Sequence, residues 1–499
     1  MDSLLPPKNQ PKIRFNKDSL NEKTLASHDL VMVLMPDKPA KTLLRQCPRS
    51  PELLHQYDRS KASASTQLIQ LSANKDSGAL LLIFVKNHLS AFESLQSAAK
   101  AWKEAAKVLP ASIALCSLGL ESAESHLQLN IYLAAVLAGN AELPNYKQKN
   151  SHSPVKSITL LQGSAATFAS TLATHAGNHL ARWLTTLPPN RLHCASYRQT
   201  LEQLAQQQGW QADFIDLSAL KKHKAGAFLA VSRANAHGHA GIMRLSYRGN
   251  SRKNQTTQQI TLIGKGICFD TGGINLKSHK SMYDMHTDMQ GSAVAVGTLL
   301  ALTQLKIPLN IECWLALTEN EIGPNAYRPQ EVITAANGVT IQVVHSDAEG
   351  RMVLADTLAL AAKNKPNLII DFATLTGACV GALTERFSGA FSNQPKLRDA
   401  IERAGQISGE RVWSFPMESD FDADLDSPVA DIMQCTLDNK GDHILAARFL
   451  NRFVPEDIPW IHIDLSSANK TGGLAHIPTE ITGFGVRWAV EFITHHSFN

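Results

Sequence analysis

The chain has 499 residues, 44% of them hydrophobic and 18% charged, with a formal net charge of +4. That length exceeds one ordinary core and fits two or three domains, and the composition is that of a soluble globular protein. A pI near 8.6 permits weak attraction to polyanions but falls far short of a nucleic-acid-binding signature, and no run reaches the ~18 uncharged apolar residues of a membrane span.

Residues 1 to about 25 are polar and proline-bearing, which predicts a loosely held arm. The opening MDSLLPPKNQPKIRF lacks the apolar run of a secretory signal. Seven scattered cysteines, none in a CxxC pair, read as buried free thiols, so the expected compartment is the reducing cytoplasm. HDLVMVLM (28–35), SGALLLIFV (77–85) and ASIALCSLGL (111–120) have the look of buried strands. Between them AFESLQSAAKAWKEAAKV (91–108) has helical spacing, with Phe92, Leu95, Ala98, Ala99 and Trp102 on one side, and HLQLNIYLAAVLAG (126–139) is a second helix. Alternation of this kind predicts an N-terminal α/β domain.

The polar stretch 140–157, broken by Pro144 and Pro154, predicts a boundary, and the helix ATFASTLATHAGNHLARWLTTL (166–187) a bridge beyond it. The expected division is therefore residues 1–155, a linker helix within 156–190, and a second domain over 191–499. In the latter AFLAVSRA (227–234), QQITLIGKG (258–266), NIECWLAL (310–317), GVTIQVVH (338–345), NLIIDFATL (367–375) and WIHIDLSS (460–467) read as strands. SAVAVGTLLALTQL (292–305), RMVLADTLALAAKN (351–364) and ILAARFLNRF (444–453) read as the crossover helices of a mostly parallel sheet covered on both faces. Functional residues of such sheets gather beyond the carboxyl ends of strands, and Lys265, Asp270, Asp347 and Thr374 all follow predicted strands.

The chemistry lies in two stretches. HSDAEGRMVLADTL (345–358) sets Asp347, Glu349 and Arg351 at the mouth of an apolar helix, and GKGICFDTGGINLKSHKSMYDMHTDM supplies Lys265, Asp270, Lys277 and Asp288. Charges so dense beside apolar sequence need neutralising partners. Four carboxylates facing two lysines and an arginine suggest a pair of divalent ions and an anion, hence a hydrolase. Oxygen-rich ligation suits Mg²⁺, Mn²⁺ or Zn²⁺. Asp347 and Glu349 would share a face if the backbone there is extended. Lys265 can ligate only as a neutral amine, Lys277 can stabilise a tetrahedral oxyanion, and Arg351 can hold a small bidentate anion. Gly272, Gly273 and Gly350 would let backbone approach the ions. Singly, each residue has an ordinary explanation: a DxE pair caps helices, a lysine after a strand is solvated, and His286, His345 and His462 pack or face water. Their joint arrangement departs from that.

These motifs resemble the leucyl aminopeptidase (cytosol aminopeptidase) family. HSDAEGRMVLADTL is similar to its NTDAEGR signature, IGKGICFDTGGINLK (263–277) to its VGKGxxFDSGGxxxK element and MHTDM (285–289) to its MxxDM element. TENEIGPNAYRPQEVI (318–333), DFATLTGACVGAL (371–383) and, more loosely, residues 460–486 also agree, so the resemblance covers most of the chain from about Leu187. It implies a macro-like N-terminal domain, a C-terminal dinuclear-metal peptidase domain and a homohexamer built as a dimer of trimers. It implies that Asp270 and Glu349 bridge the ions, that Lys265 and Asp288 complete the tighter site, and that Asp347 completes the more exchangeable one. A bridging water of pKa near ~7 would attack the peptide carbonyl, with bicarbonate on Arg351 as general base and Lys277 stabilising the intermediate. The substrate's free amine would ligate a metal, restricting the enzyme to amino-terminal residues of short peptides. Backbone of Thr374, Leu375 and Gly377 would hold the peptide, and Met285 and Ala348 would line the first-residue pocket. Against the family pattern, His345 replaces Asn, Ser346 replaces Thr, His286 stands where Lys or Arg is common, and Gln290 and Ser292 replace smaller or more apolar residues. His345, beside that pocket, is expected to shift substrate preference. Some bacterial members of the family also bind DNA; Lys147, Lys149 and Lys156 permit this but no motif supports it.

Overall fold

The computed structural model describes residues 4–7, 10–17, 19–60, 68–74, 77–148, 155–235, 238–249 and 258–496. Two compact units are present, one formed by Pro7–His175 with Gly472–Pro478, the other built mainly on Ala176–Thr471.

The first unit holds β1 (Lys12–Phe15), β2 (Leu30–Pro36), β3 (Leu68–Leu71), β4 (Ala79–Val85), β5 (Ser112–Ser117) and β6 (Ser157–Leu160), in the order β1-β6-β5-β2-β4-β3. Only the β3–β4 pairing is antiparallel. The apolar runs β2 and β4 are buried along nearly their whole length, as strands covered on both faces must be. The helix Ala91–Ala105 opens on a reciprocal cap, in which Ser90 Oγ accepts from Glu93 N–H and the Glu93 carboxylate accepts from Ser90 N–H. Leu95, Ala98 and Trp102 of that helix enter the core. The loosely held arm is corrected: β1 pairs with β6, and a short helix, Glu22–Ala26, buries Leu25. Main-chain hydrogen bonds suffice to add a polar strand to a sheet edge, so composition alone misleads there. Of the polar stretch 140–157, residues 149–154 lie outside the described residues; β6 begins at Ser157, and the first unit extends to His175 within the helix Ala165–Thr186.

The second unit holds β7 (Gln211–Asp216), β8 (Gly241–Tyr247), β9 (Gln259–Asp270), β10 (Asn310–Asn320), β11 (Val332–Thr334), β12 (Thr340–Gln342), β13 (Leu368–Ala373), β14 (Ser388–Ser392), β15 (Val412–Ser414), β16 (Ile432–Met433) and β17 (Trp460–Asp464). Eight of these make one sheet, β15-β14-β17-β13-β9-β10-β8-β7, whose central strands β17, β13, β9 and β10 are parallel. The α/β class and mostly parallel sheets are thus as expected. The helices Gln290–Gln304 and Glu349–Ala362 are buried almost throughout, consistent with their all-round apolar sequence.

Two strand expectations fail. AFLAVSRA lies mainly in a helix, Gly226–Ser232, whose first turn is held by Asp356 accepting from Phe228 N–H at 2.7 Å. A short run buried all round has no periodicity to separate helix from strand. GVTIQVVH contributes only β12, which belongs to a separate three-stranded sheet, β11-β12-β16. All seven cysteines are buried and free, and among the described residues no helix is long and apolar enough to cross a membrane.

Candidate active site

Strand β9 carries Lys265 within its length and ends on Asp270, so Lys265 does not follow the strand as expected. A bulge between Thr318 and Asn320 of β10 brings Asn320 opposite Asp270, and the Asn320 amide donates to Asp270 Oδ1 at 2.8 Å and to the Ser346 carbonyl at 3.0 Å. After Asp270 the chain reverses through Gly272, whose φ of +84° suits glycine. Lys277 N–H then closes back on Thr271 O at 2.9 Å. This loop places Lys277 Nζ 2.8 Å from Asp270 Oδ2 and 2.5 Å from Asp347 Oδ1.

Lys265 Nζ lies 2.8 Å from Asp288 Oδ2, 2.9 Å from Glu349 Oε1 and 2.9 Å from Thr374 O. A Cβ on Gly350 would sit 2.7 Å from that nitrogen, so this glycine makes room for a lysine rather than for backbone approach. Asp288 follows a short 3₁₀ turn, Met285–Thr287, and accepts from Thr374 Oγ1 at 2.7 Å. Asp347 occupies a turn closed by Ala348 N–H on His345 O, not extended backbone. Oxygens of Asp270, Asp347 and Glu349 nevertheless lie within 4.8 Å of one another, because glutamate's extra methylene reaches across.

The loop before Glu349 is fixed from several sides. Tyr327 OH donates to Ser346 O at 2.7 Å, Ser346 and Asn275 bond reciprocally, and the buried Gln434 accepts from Val344 and His345 N–H while donating to Ala348 O. Asn320 and Tyr327 were legible only as letters within the block 318–333; nothing local in the sequence marks Gln434. His345 is exposed, its Nδ1 accepting from Asp347 N–H at 3.3 Å. Met285, Ala348, Thr374 and Leu375 are half-buried around the cluster, and Gly377 is exposed with open space at its Cβ position. Leu375 N–H is engaged by Asp464 at 3.2 Å. His462 is fully buried against Asp371, His286 is half-buried.

Arg351 does not compensate the cluster. Its Nη2 donates to both oxygens of Asp442, at 2.9 and 2.8 Å, and its Nη1 to Gln434 O at 3.1 Å. Among the described residues the four carboxylates therefore form ion pairs with the ammoniums of Lys265 and Lys277, leaving two negative charges without an ion-pair partner if all are ionised. Burial, reinforced by Asp270, pushes Glu349 up to about 8, and burial pushes Asp288 up to about 6. Burial alone would lower both lysines, but the surrounding carboxylates hold each above its ordinary value. Glu349 Oε2 is buried without a hydrogen-bond partner. An orphaned carboxylate oxygen inside an oxygen-rich cluster that lacks positive charge fits divalent cations, with Asp270, Asp347, Glu349, Asp288 and Lys265 as the residues able to hold them.

Residues 179–490 match the sequence model of the cytosol aminopeptidase family, catalytic domain. A probable cytosol aminopeptidase of Rhodopseudomonas palustris (strain BisB5) is 40% identical over 64% of this chain and 62% of its own length. The match to this relative thus spans about three fifths of its length. A tomato leucine aminopeptidase variant superposes with a TM-score of 0.85 at 25% identity, covering 99% of this chain and 100% of its own. The bottromycin maturation enzyme BotP, in complex with Mn, gives 0.79 at 26% identity over 93% and 98%.

Proposed function

The chain belongs to the cytosol aminopeptidase family, and on that premise we propose that it is a metal-dependent aminopeptidase releasing amino-terminal residues from short peptides. The observation that carries this reading is the cluster of Asp270, Asp288, Asp347 and Glu349 about two lysines, with Glu349 Oε2 left unpartnered. Two divalent ions held there would supply Lewis acidity toward the scissile carbonyl and a water of lowered pKa. Manganese is the first candidate, because BotP, of the same architecture, is described with Mn; zinc and magnesium suit the same oxygen donors.

The side chains divide the remaining work. Lys277 is the more accessible ammonium, its side chain 14% exposed against 4% for Lys265. It is therefore the one that can donate to a substrate oxyanion, a role worth roughly 10²–10³ in rate. Lys265, locked beneath Gly350 and Thr374 O, acts within the metal cradle. The peptide would lie along Thr374–Gly377, where Gly377 leaves the surface open. Met285, Ala348 and His345 would face its first side chain. A His345→Asn variant is expected to change the ranking of first residues, and an unchanged profile would remove His345 from the pocket.

The deciding experiment strips metal with a chelator, then restores Mn²⁺, Zn²⁺ or Mg²⁺ against a panel of aminoacyl-amides. Metal-restored release of amino-terminal residues is expected; no hydrolysis with any metal overturns the reading. By family we also propose a cytosolic homohexamer, tested by sedimentation equilibrium.

A further inference from the structure

We propose that Asp442 is the built-in anion of Arg351, so that this chain needs no bicarbonate at that guanidinium. The proposal rests on the aminopeptidase reading and departs from the expectation that a diffusible bicarbonate binds there. A planar anion recognised by a guanidinium uses a fork of two nitrogens, either Nη1 with Nη2 or Nε with Nη2. Both forks need Nη2, and Nη2 donates to both oxygens of Asp442 at 2.9 and 2.8 Å. Nη1 is held by Gln434 O at 3.1 Å, and Nε is buried where no partner reaches it. Arg351 itself is 2% exposed, so no further face of the guanidinium opens to water.

Asp442 is held in place by its own element. It is the first residue of the helix Asp442–Asn451, entered through Gly441 in the left-handed region at φ 61°, and its carboxylate sits at the positive end of that helix. Arg351 lies in the first turn of the helix that begins with Glu349, so the pair flanks the carboxylate cluster. The pair is neutral overall. A second anion would have to displace a tethered carboxylate that pays little entropy to stay, and would do so beside four other acids. Asp442 is accordingly a positioning residue acting through Arg351, standing where a small carboxylate-like anion would otherwise bind.

The test uses the full chain loaded with the metal that restores activity, in carbon dioxide-depleted buffer. Aminoacyl-amide hydrolysis and calorimetric binding are both followed as bicarbonate is added. The wild type is expected to show no saturable binding and a rate unchanged within about twofold. Asp442→Gly is expected to lose roughly 10–100-fold in rate, to recover most of it with millimolar bicarbonate or formate, and to bind bicarbonate saturably. Saturable bicarbonate binding by the wild type, or a variant that neither binds nor is rescued, overturns the proposal. Asp442→Ala, which also vacates the carboxylate's place, carries the same expectations should the glycine variant fail to fold. Because calorimetry needs no turnover, absence of peptidase activity would sink the enzyme reading while binding still decides the role of Asp442.

Discussion

Two ammoniums among four carboxylates make Lys265 and Lys277 counter-ions wherever metal is absent, and the two should respond differently to substitution. Lys277 competes with cations for Asp270 and Asp347. Lys277→Ala is expected to lower kcat about 10²–10³-fold while metal binding stays as tight or becomes tighter. Asn320 does the opposite work: its amide ties Asp270 to the Ser346 carbonyl without touching the open side of the cluster. Asn320→Ala should weaken metal binding by roughly 10–100-fold and lose activity that excess metal restores. Metal titration alongside kinetics separates the two, and equal effects on metal affinity would refute the assignment. Every ligand candidate was legible in the sequence because metal ligands carry charge and charge in apolar surroundings stands out. Asn320, Gln434 and Asp442 were not, since a neutral amide or a surface-like acid gains its role only from what the fold brings within 3 Å. Arg351 shows the limit sharply: sequence marks it as a free cation, and the partner that claims it lies 91 positions away.

At the scale of elements, strands and helices with long uninterrupted apolar runs were readable, and short ones were not. β9, β10, β13 and β17 lie where their patterns place them, whereas AFLAVSRA forms a helix that its short, almost evenly apolar run could not reveal. The final helix, Val486–His495, depends on a residue far from it: Glu410 Oε2 accepts from Gly485 and Trp488 N–H, both at 2.8 Å, capping its first turn. Burial pushes the Glu410 carboxyl from 4.5 up to about 7 despite those bonds. Between those values the folded chain holds a proton that the unfolded chain has lost. The contribution is therefore fully present below about 4.5 and lost as pH rises through about 7, at up to ~1.4 kcal/mol per pH unit. Glu410→Gln keeps an oxygen to accept both bonds and has nothing to titrate. Urea unfolding of both proteins at pH 5 and 7.5 should show the wild type losing ground to the variant as pH rises; a difference independent of pH would refute this. Glu410→Ala, which leaves two backbone donors without their acceptor, should cost about 2–3 kcal/mol at pH 5 and less as the pH rises toward 7.5.

Across the whole molecule, the site is confined to one of the two compact units, as all its residues fall between Lys265 and Asp464. The strands that carry it are already buried and paired, so metal has little folding to induce. Its effect should be to remove the repulsion among Asp270, Asp288, Asp347 and Glu349 and to restrain the loops that present them. Binding at a hundredfold excess over Kd stabilises the folded state by ~2.7 kcal/mol per site. That stabilisation should appear where the ligands are. Amide exchange is expected to slow over residues 270–289 and 345–352, whose main chain is held in part by side-chain bonds such as those of Ser346, Asn275 and Gln434. The buried strands β2 and β4 of the other unit should exchange at the same rate with and without metal, because no ligand candidate lies on them. Protection rising equally in both units would mean that the cation binds elsewhere or that the units open together. Confinement to the two loop segments would tie the metal to the carboxylates without relying on turnover, since exchange reports occupancy even in a Lys277 variant that cannot hydrolyse its substrate.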